Sequence, residues 1–378
     1  MIYLDYSATT PTNEEVMDSF VKANKYFGNP NSLHKLGVEA KKLIDASTEQ
    51  IASLLGCKKE EIIYTSGATE SNNTAIKGVC LKYQNRGKHI ITTKLEHSSI
   101  VEPLKYLESL GFVIDYVKLD SNGSIDLEDL KNLLRDDTIL VTISSVTSEV
   151  GTKNNIKEIS KIVHSNNKTL LHVDMTQSIG KERISLEGVD LASMSAHKFY
   201  GIKGVGILYK KESLIIEPLN MGGKSTTIFR SGTPATSLIA STAKALRIQY
   251  EDLDNKIEHV KELNNYLKEE LSKIEGIHNN STDTCIPHIV NISIMGIKPE
   301  SMLHAMETHG IYISTKTACS ENNDYSESVY AITNNMDYAK SSIRISLSHL
   351  TTKEELNEFI KVLTKEINNL TLKYSWYN

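Results

Sequence analysis

The feature that most limits how this chain can fold is an alternation of strand and helix patterns that sets in near residue 40 and persists to about residue 210. EIIYTS, KHIITTKLEH, FVIDYVKLD, TILVTISSV, TLLHVD and GVGILYK are short apolar runs of strand length. Between them lie segments with helical patterning, among them ESNNTAIKGVCLKY, DLEDLKNLLRDD and NIKEISKIVHSNN. Such alternation predicts an α/β domain built on a mostly parallel sheet. Ahead of it, EAKKLIDASTEQIASLLG predicts a helix that stops at Gly56.

Near residue 250 the pattern changes. Leu253, Ile257, Val260, Leu263, Leu267, Leu271 and Ile274 share one helical face, and Gly276 is expected to end that helix. HIVNISIM, GIYIST and SSIRISLS predict short strands. Thr352 to Glu355 form a capping-box pattern before a helix carrying Leu356, Ile360, Leu363 and Ile367. A smaller α+β domain is therefore expected at about 256–378.

Composition matters chiefly for what it excludes. With 39% hydrophobic and 24% charged residues the chain reads as a soluble globular protein. A net charge of −5 gives no reason to expect nucleic acid as a partner. No apolar run approaches the ~20 residues of a membrane helix. MIYLDYSATTP lacks the pattern of a signal peptide and reads as a short strand with a turn at Thr10-Pro11. Cys57, Cys80, Cys285 and Cys319 show no metal-ligand spacing, so neither a metal site nor a disulfide framework is expected. A reducing, cytoplasmic setting follows as the expectation, in which a cysteine matters as a thiol.

In an open α/β sheet, ligands bind at the carboxyl ends of the strands. Four polar clusters sit just after apolar runs. Thr65-Ser66-Gly67-Ala68-Thr69-Glu70 precedes a helix, and small residues there suit a phosphate, though a plain helix cap explains them as well. Glu96-His97 follows one strand, and His172-Val173-Asp174 ends another, with Gln177 close behind. Taken singly, either could be a cap. Ser195-Ala196-His197-Lys198 is followed by Gly201, Gly204 and Gly206, whose spacing matches neither a dinucleotide fingerprint nor a P-loop. Together, a phosphate cradle, a carboxylate, a flat histidine and a lysine are what pyridoxal-5′-phosphate (PLP) requires. The lysine amine would bond the cofactor. The carboxylate would pair with the pyridine nitrogen and keep it protonated. A flat imidazole would stack on the ring.

At this point the sequence resembles a known family, the NifS/IscS-like cysteine desulfurases within the class V aminotransferases. The motifs occur in order along essentially the whole chain: Tyr3-Leu4-Asp5-Tyr6-Ser7-Ala8-Thr9-Thr10, Gly28-Asn29-Pro30-Asn31-Ser32 with His34, the 65–72 loop, Glu96-His97, Asp174 with Gln177, Ser195-Ala196-His197-Lys198, Arg230-Ser231-Gly232-Thr233, Thr317-Ala318-Cys319-Ser320 and Ser342-Ile343-Arg344. The resemblance implies the type I fold of PLP-dependent transferases. Its large domain, 16–255, would hold a mostly parallel seven-stranded sheet. Its small α+β domain would combine 1–15 with 256–378 and carry a sulfur-acceptor loop at about 316–338.

The resemblance also implies a homodimer that takes sulfur from L-cysteine, leaves L-alanine, and passes a persulfide on Cys319 to acceptor or scaffold proteins. Lys198, Cys319 and His97 would be catalytic. Ala68, Thr69, His97, Ser148, Asp174, Gln177, Ser195, His197, Lys198 and Thr233 would hold the cofactor, Thr233 reaching the neighbouring subunit's phosphate. Arg344 and Asn31 would bind substrate. The polar run Glu321-Asn322-Asn323-Asp324-Tyr325-Ser326-Glu327-Ser328 after Cys319 predicts a mobile exposed loop able to carry the thiol. A selenocysteine lyase, a related PLP lyase or aminotransferase, and a weakly active sulfur-transfer scaffold are the alternatives.

Two departures stand out. Thr147-Ser148-Glu149-Val150-Gly151 replaces the family's Asn-Asn-Glu-x-Gly, so Ser148 is shorter than the asparagine expected to meet the cofactor's ring hydroxyl. Lys224-Ser225 follows Gly222-Gly223 where the family carries a pair such as Gln-Glu.

Overall fold

The computed structural model describes residues 1–315 and 324–375. At its centre lies a seven-stranded sheet in the order Ile62–Thr65, Gly206–Lys210, Leu191–Ser195, Leu170–Asp174, Thr138–Ser144, His89–Thr92, Val113–Tyr116. Gly206–Lys210 runs antiparallel to both its neighbours; the remaining pairs are parallel. Thr138–Ser144 is buried at every position. That is the signature of a strand covered on both faces, and it explains why these strands read as continuous apolar runs. The mostly parallel sheet read from the strand–helix alternation is present, with the seven strands that the resemblance implies.

Chain order reverses inside this sheet. From His89–Thr92 the chain proceeds to its neighbour Val113–Tyr116, then returns to the opposite side as Thr138–Ser144 and continues through Leu170–Asp174 and Leu191–Ser195. A crevice opens at such a reversal, outside the carboxyl ends of the strands. The polar clusters at Glu96-His97, Ser144–Ser148, Asp174–Gln177 and Ser195–Lys198 all follow strands that end at this edge.

A second, three-stranded antiparallel sheet has the order Ser342–Ser346, Ile289–Ile294, Ile277–Asn279. The helices Leu253–Leu271, Pro299–Thr308 and Lys353–Ser375 supply its core with Leu263, Leu267, Met302, Leu356 and Phe359. Leu4 is fully buried in this same core. Ile2–Tyr3 pairs with Ile311–Tyr312, and Asp5 bridges Ser346. Residues 2–5 are thus fastened to segments more than three hundred positions away, through apolar burial and backbone hydrogen bonds.

Two local expectations are corrected. The helix from Leu253 ends at Leu271, where Ile274 N–H bonds back to the Leu271 carbonyl and tightens the last turn. Ile274 still packs on the second core from outside the helix, and Gly276 (φ 82°) serves the turn into Ile277–Asn279. The segment expected as one polar loop, 316–338, contains the helix Glu327–Thr333 and most of Met336–Lys340. Among its described polar residues, Ser326 and Asn335 are helix caps. Ser326 is buried, accepts from Val329 N–H and donates to the buried carboxylate of Glu149. Both bonds of the Thr352–Glu355 capping box are present, at 2.9 and 3.2 Å.

Candidate active site

The strand ends enclose a cleft of about 620 Å³, within the size range of pockets that hold small ligands. Ala68, Thr69, His97, Ser148, Asp174, Gln177, Ser195, His197, Lys198 and Arg344 all line it. Ten positions named from the sequence thus share one cavity. Asn31 and Thr233 do not line it. Asn31 is exposed, and Thr233 is exposed in an adjoining depression with Arg230, Ser225 and Gly232. Cys319 lies outside the described residues.

One wall belongs to the large sheet and is densely bonded. The helix Ala68–Tyr83 starts at the cleft with Gly67 as its cap, and no side chain caps it there. Its first-turn N–H groups and positive dipole end face the site as an anion cradle. Gly206 lets strand Gly206–Lys210 approach this loop, since a Cβ there would stand 2.6 Å from Gly67 Cα. From one turn inside the helix, Asn72 donates to Asp174 Oδ2 at 2.9 Å and to Ser99 Oγ at 2.8 Å. Thr176 N–H bonds the other Asp174 oxygen at 2.9 Å. Ser99 Oγ meets His97 Nδ1 at 2.8 Å, and Ser99 N–H donates to the same nitrogen at 3.1 Å. With Nδ1 accepting, Nε2 carries the proton of the neutral ring. Burial keeps His97 below the usual histidine range, so neutral is its ordinary state.

Glu96 sits at the chain reversal. Its carboxyl accepts from Thr93 Oγ1, Ser144 N–H and Ser144 Oγ, at 2.8, 3.1 and 2.6 Å, joining the ends of two strands. Burial nevertheless pushes its pKa up to about 7. His197 is likewise pushed down to about 4, by burial and by Lys198 beside it, and bonds Thr9 Oγ1 at 3.0 Å. His172 is consumed within the sheet by Thr142 and Ser193.

Lys198 Nζ donates to the backbone carbonyls of Ser7 and Ala8 at 2.5 and 2.8 Å. Residues 7–10 fold over this corner, where Thr10 bonds the His197 carbonyl. Gln177 Nε2 also donates to the Ser7 carbonyl, at 3.0 Å, while its Oε1 accepts from Lys181 Nζ.

The other wall is sparser. Arg344, buried on the strand Ser342–Ser346, gives one terminal nitrogen to Asp5 Oδ1 and the other to the Ser148 carbonyl, each at 2.9 Å. Its Nε has no partner among the described residues. Ser7 Oγ and Thr176 Oγ1, also at the cleft, are buried and unpartnered among the described residues. Buried polar groups without partners are costly unless a ligand meets them.

These residues fit PLP: a primary amine, a carboxylate held by two donors, a flat neutral ring, a helix start and orphaned polar atoms in one cavity. Sequence reading missed Asn72, Ser99, Asp5 and Lys181. Asp5 and Asn72 stand inside motifs quoted above without a role of their own, and Lys181 lies one turn beyond Gln177. Burial pushes the Cys57 thiol up to about 12 and raises Cys80 as well, so neither is a ready thiolate.

Fold and site together define a class V aminotransferase, and the model of that family matches residues 2–359. The chain belongs to this family, among the cysteine desulfurases of the NifS/IscS kind. It is 41% identical to cysteine desulfurase IscS of Dictyoglomus turgidum over 98% of this chain and 95% of the relative. It is 40% identical to IscS of Vibrio cholerae over 98% and 93%. A NifS-like protein of known structure superposes with a TM-score of 0.92 at 36% identity, covering 97% of this chain and 99% of that one. A structure described as SspA in complex with cysteine superposes with a TM-score of 0.82 at 28% identity, covering 93% and 100%.

Proposed function

We propose that this chain is a PLP-dependent desulfurase that converts L-cysteine to L-alanine and leaves the sulfur as a persulfide on Cys319. The observation that carries the reading is the convergence of Lys198, Asp174 and His97 at neighbouring strand ends, beside a buried arginine. Lys198 would hold the cofactor through its amine, Asp174 at the ring nitrogen and His97 against the ring face. Gln177, with Ser148 on the facing loop, would meet the phenolic oxygen. Ala68, Thr69, Ser195 and His197 would surround the phosphate, with the exposed Thr233 serving the phosphate of a second subunit.

When bound, PLP supplies an electron-accepting ring for the charge left on the substrate α-carbon. Arg344 holds the substrate carboxylate, using the donor capacity that Asp5 and Ser148 leave over. Lys198 Nζ takes the α-proton and returns a proton to the product. His97, protonated at Nε2, exchanges a proton with the substrate sulfur. The Cys319 thiolate attacks that sulfur, so an S–S bond forms as the substrate C–S bond breaks. Alanine and a cysteine persulfide together account for every atom, and no outside oxidant is needed.

The two-core architecture supports a division into a domain at 16–255 and another at 1–15 plus 256–378. Exposed Phe27, Leu33, Met221 and Ile228 support burial against a second copy. No described helix is long and apolar enough to cross a membrane. A reducing compartment such as the cytoplasm suits the thiol chemistry, and the persulfide is read as destined for acceptor proteins.

The test is direct. Purified protein should turn yellow with PLP and release alanine and sulfide from L-cysteine with a reductant. Cys319→Ala should abolish persulfide formation; full sulfide release by that variant would sink the persulfide route. Faster alanine formation from selenocysteine would favour a lyase.

A further inference from the structure

Lys181 is a lysine where lysines are seldom found. It is 6% exposed, in the turn that follows strand Leu170–Asp174. Its Nζ donates to Gln177 Oε1 at 2.6 Å. The charged groups bearing on it are Lys198 and Arg344, with Glu182 opposing them, and the buried His288 is also near. Burial in this company holds its amine well below the ordinary lysine range.

The donor and acceptor arithmetic at Gln177 has one solution. Lys181 donates whether it is an ammonium or a neutral amine, and the Ser7 carbonyl can only accept. Gln177 therefore turns Oε1 to Lys181 and Nε2 to Ser7. A flipped amide would set two oxygens against each other at Ser7, and two donors against each other at a charged Lys181. Each mismatch would leave a buried polar group unpaired and carrying its full desolvation cost. With its oxygen turned to Lys181 and one Nε2 hydrogen given to Ser7, Gln177 keeps a second Nε2 hydrogen to offer the cleft that it lines. The Ser7 carbonyl it grips also seats Lys198 Nζ.

We propose that Lys181 is a positioning residue that clamps the Gln177 side-chain amide with its N–H side toward the cleft. The bound ligand must then offer an acceptor oxygen at this point, and the Ser7 carbonyl keeps its place beneath Lys198. This inference rests on the PLP reading only for the identity of that ligand, an anionic ring oxygen.

The test uses the full chain with Lys181→Met, Gln177→Leu and both together. In PLP-loaded protein, loss of the oriented N–H destabilises the anionic ring oxygen. The pH midpoint of the bound cofactor's visible absorbance should rise by about one unit in Lys181→Met, as in Gln177→Leu, with no further rise in the double variant. Lys181→Gln, which keeps a donor one bond shorter, should titrate within about a factor of two of the parent. An unmoved midpoint in Lys181→Met, additive shifts in the double variant, or a tenfold shift in Lys181→Gln would overturn the proposal. Urea unfolding of the same set without cofactor reads the clamp independently of PLP. A coupling of about fivefold or more in the unfolding equilibrium is expected, and strict additivity refutes the clamp. Should the protein bind no PLP at all, the functional reading fails, while this second measurement still decides on Lys181.

Discussion

The two walls of the cleft are built on opposite plans. On the wall from the large sheet the catalytic groups are held in a chain, His97 on Ser99, Ser99 on Asn72, Asn72 on Asp174, with Asn72 Oδ1 and Thr176 Oγ1 buried without a partner among the described residues. On the wall that brings in Arg344, one ion pair and one carbonyl leave a guanidinium nitrogen unpartnered among the described residues. A group fixed in advance loses little freedom when its ligand arrives, which suits a resident cofactor. Donors left over suit a substrate that enters and leaves on every turnover.

Four experiments can break or sharpen this contrast. The largest effect should come from Lys198→Ala. Alanine and sulfide formation should fall by about a thousandfold or more, with loss of the yellow colour, because nucleophile and proton carrier go together. Arg344→Ala should come next, raising KM for L-cysteine by about a hundredfold while the cofactor spectrum stays. If that variant lost the cofactor as well, the walls would be one unit and the contrast would fail.

Glu96→Gln addresses the first wall through pH. The folded-state pKa of about 7 lies above the ordinary carboxylate value, so the carboxylate form is disfavoured in the fold. Stability from the neutral form is complete below about pH 4.5 and is lost as pH rises through 7. The glutamine variant should melt with the parent at pH 4 and above it at pH 8.5. Its advantage there is at most about 3 kcal/mol, measured by thermal unfolding across that range. Equal melting at both ends would remove Glu96 as an ionising group. Asn72→Ala should be mildest, costing about 1–2 kcal/mol by urea unfolding. Cofactor affinity should drop as Asp174 loses a donor, with KM for cysteine nearly unchanged.

The contrast also explains what was legible in the sequence. Asp174 ends its strand and His97 and Lys198 come a few residues after theirs, so an apolar run followed by polar residues announces them. The central strands were readable for the same reason, since burial on both faces leaves a continuous apolar record. Asp5 and Arg344, or Asn72 and Asp174, meet only through tertiary structure and leave no local pattern. Asn31 carried a motif-level expectation, yet it lies exposed and outside the cleft lining. Polar residues at 324–328 read as loop because a capping serine and a solvated serine look alike in sequence. Gly276 was read as a helix stop although the last turn had already tightened at Ile274.

The fastening of residues 2–8 has a consequence in time. A ribosome makes Asp5 long before Arg344, and Ser7 long before Lys198. The corner that seats Lys198 can close only after the sheet ahead of it has emerged. The ion pair to Arg344 must wait until strand Ser342–Ser346 has emerged and the long loop back to Asp5 has closed. Throughout that interval Leu4 and its neighbours are apolar residues without a home, and the amine of Lys198 has no finished pocket to react in. The same junction that completes the cleft thus schedules it: this chain cannot acquire a working site until strand Ser342–Ser346 has been made.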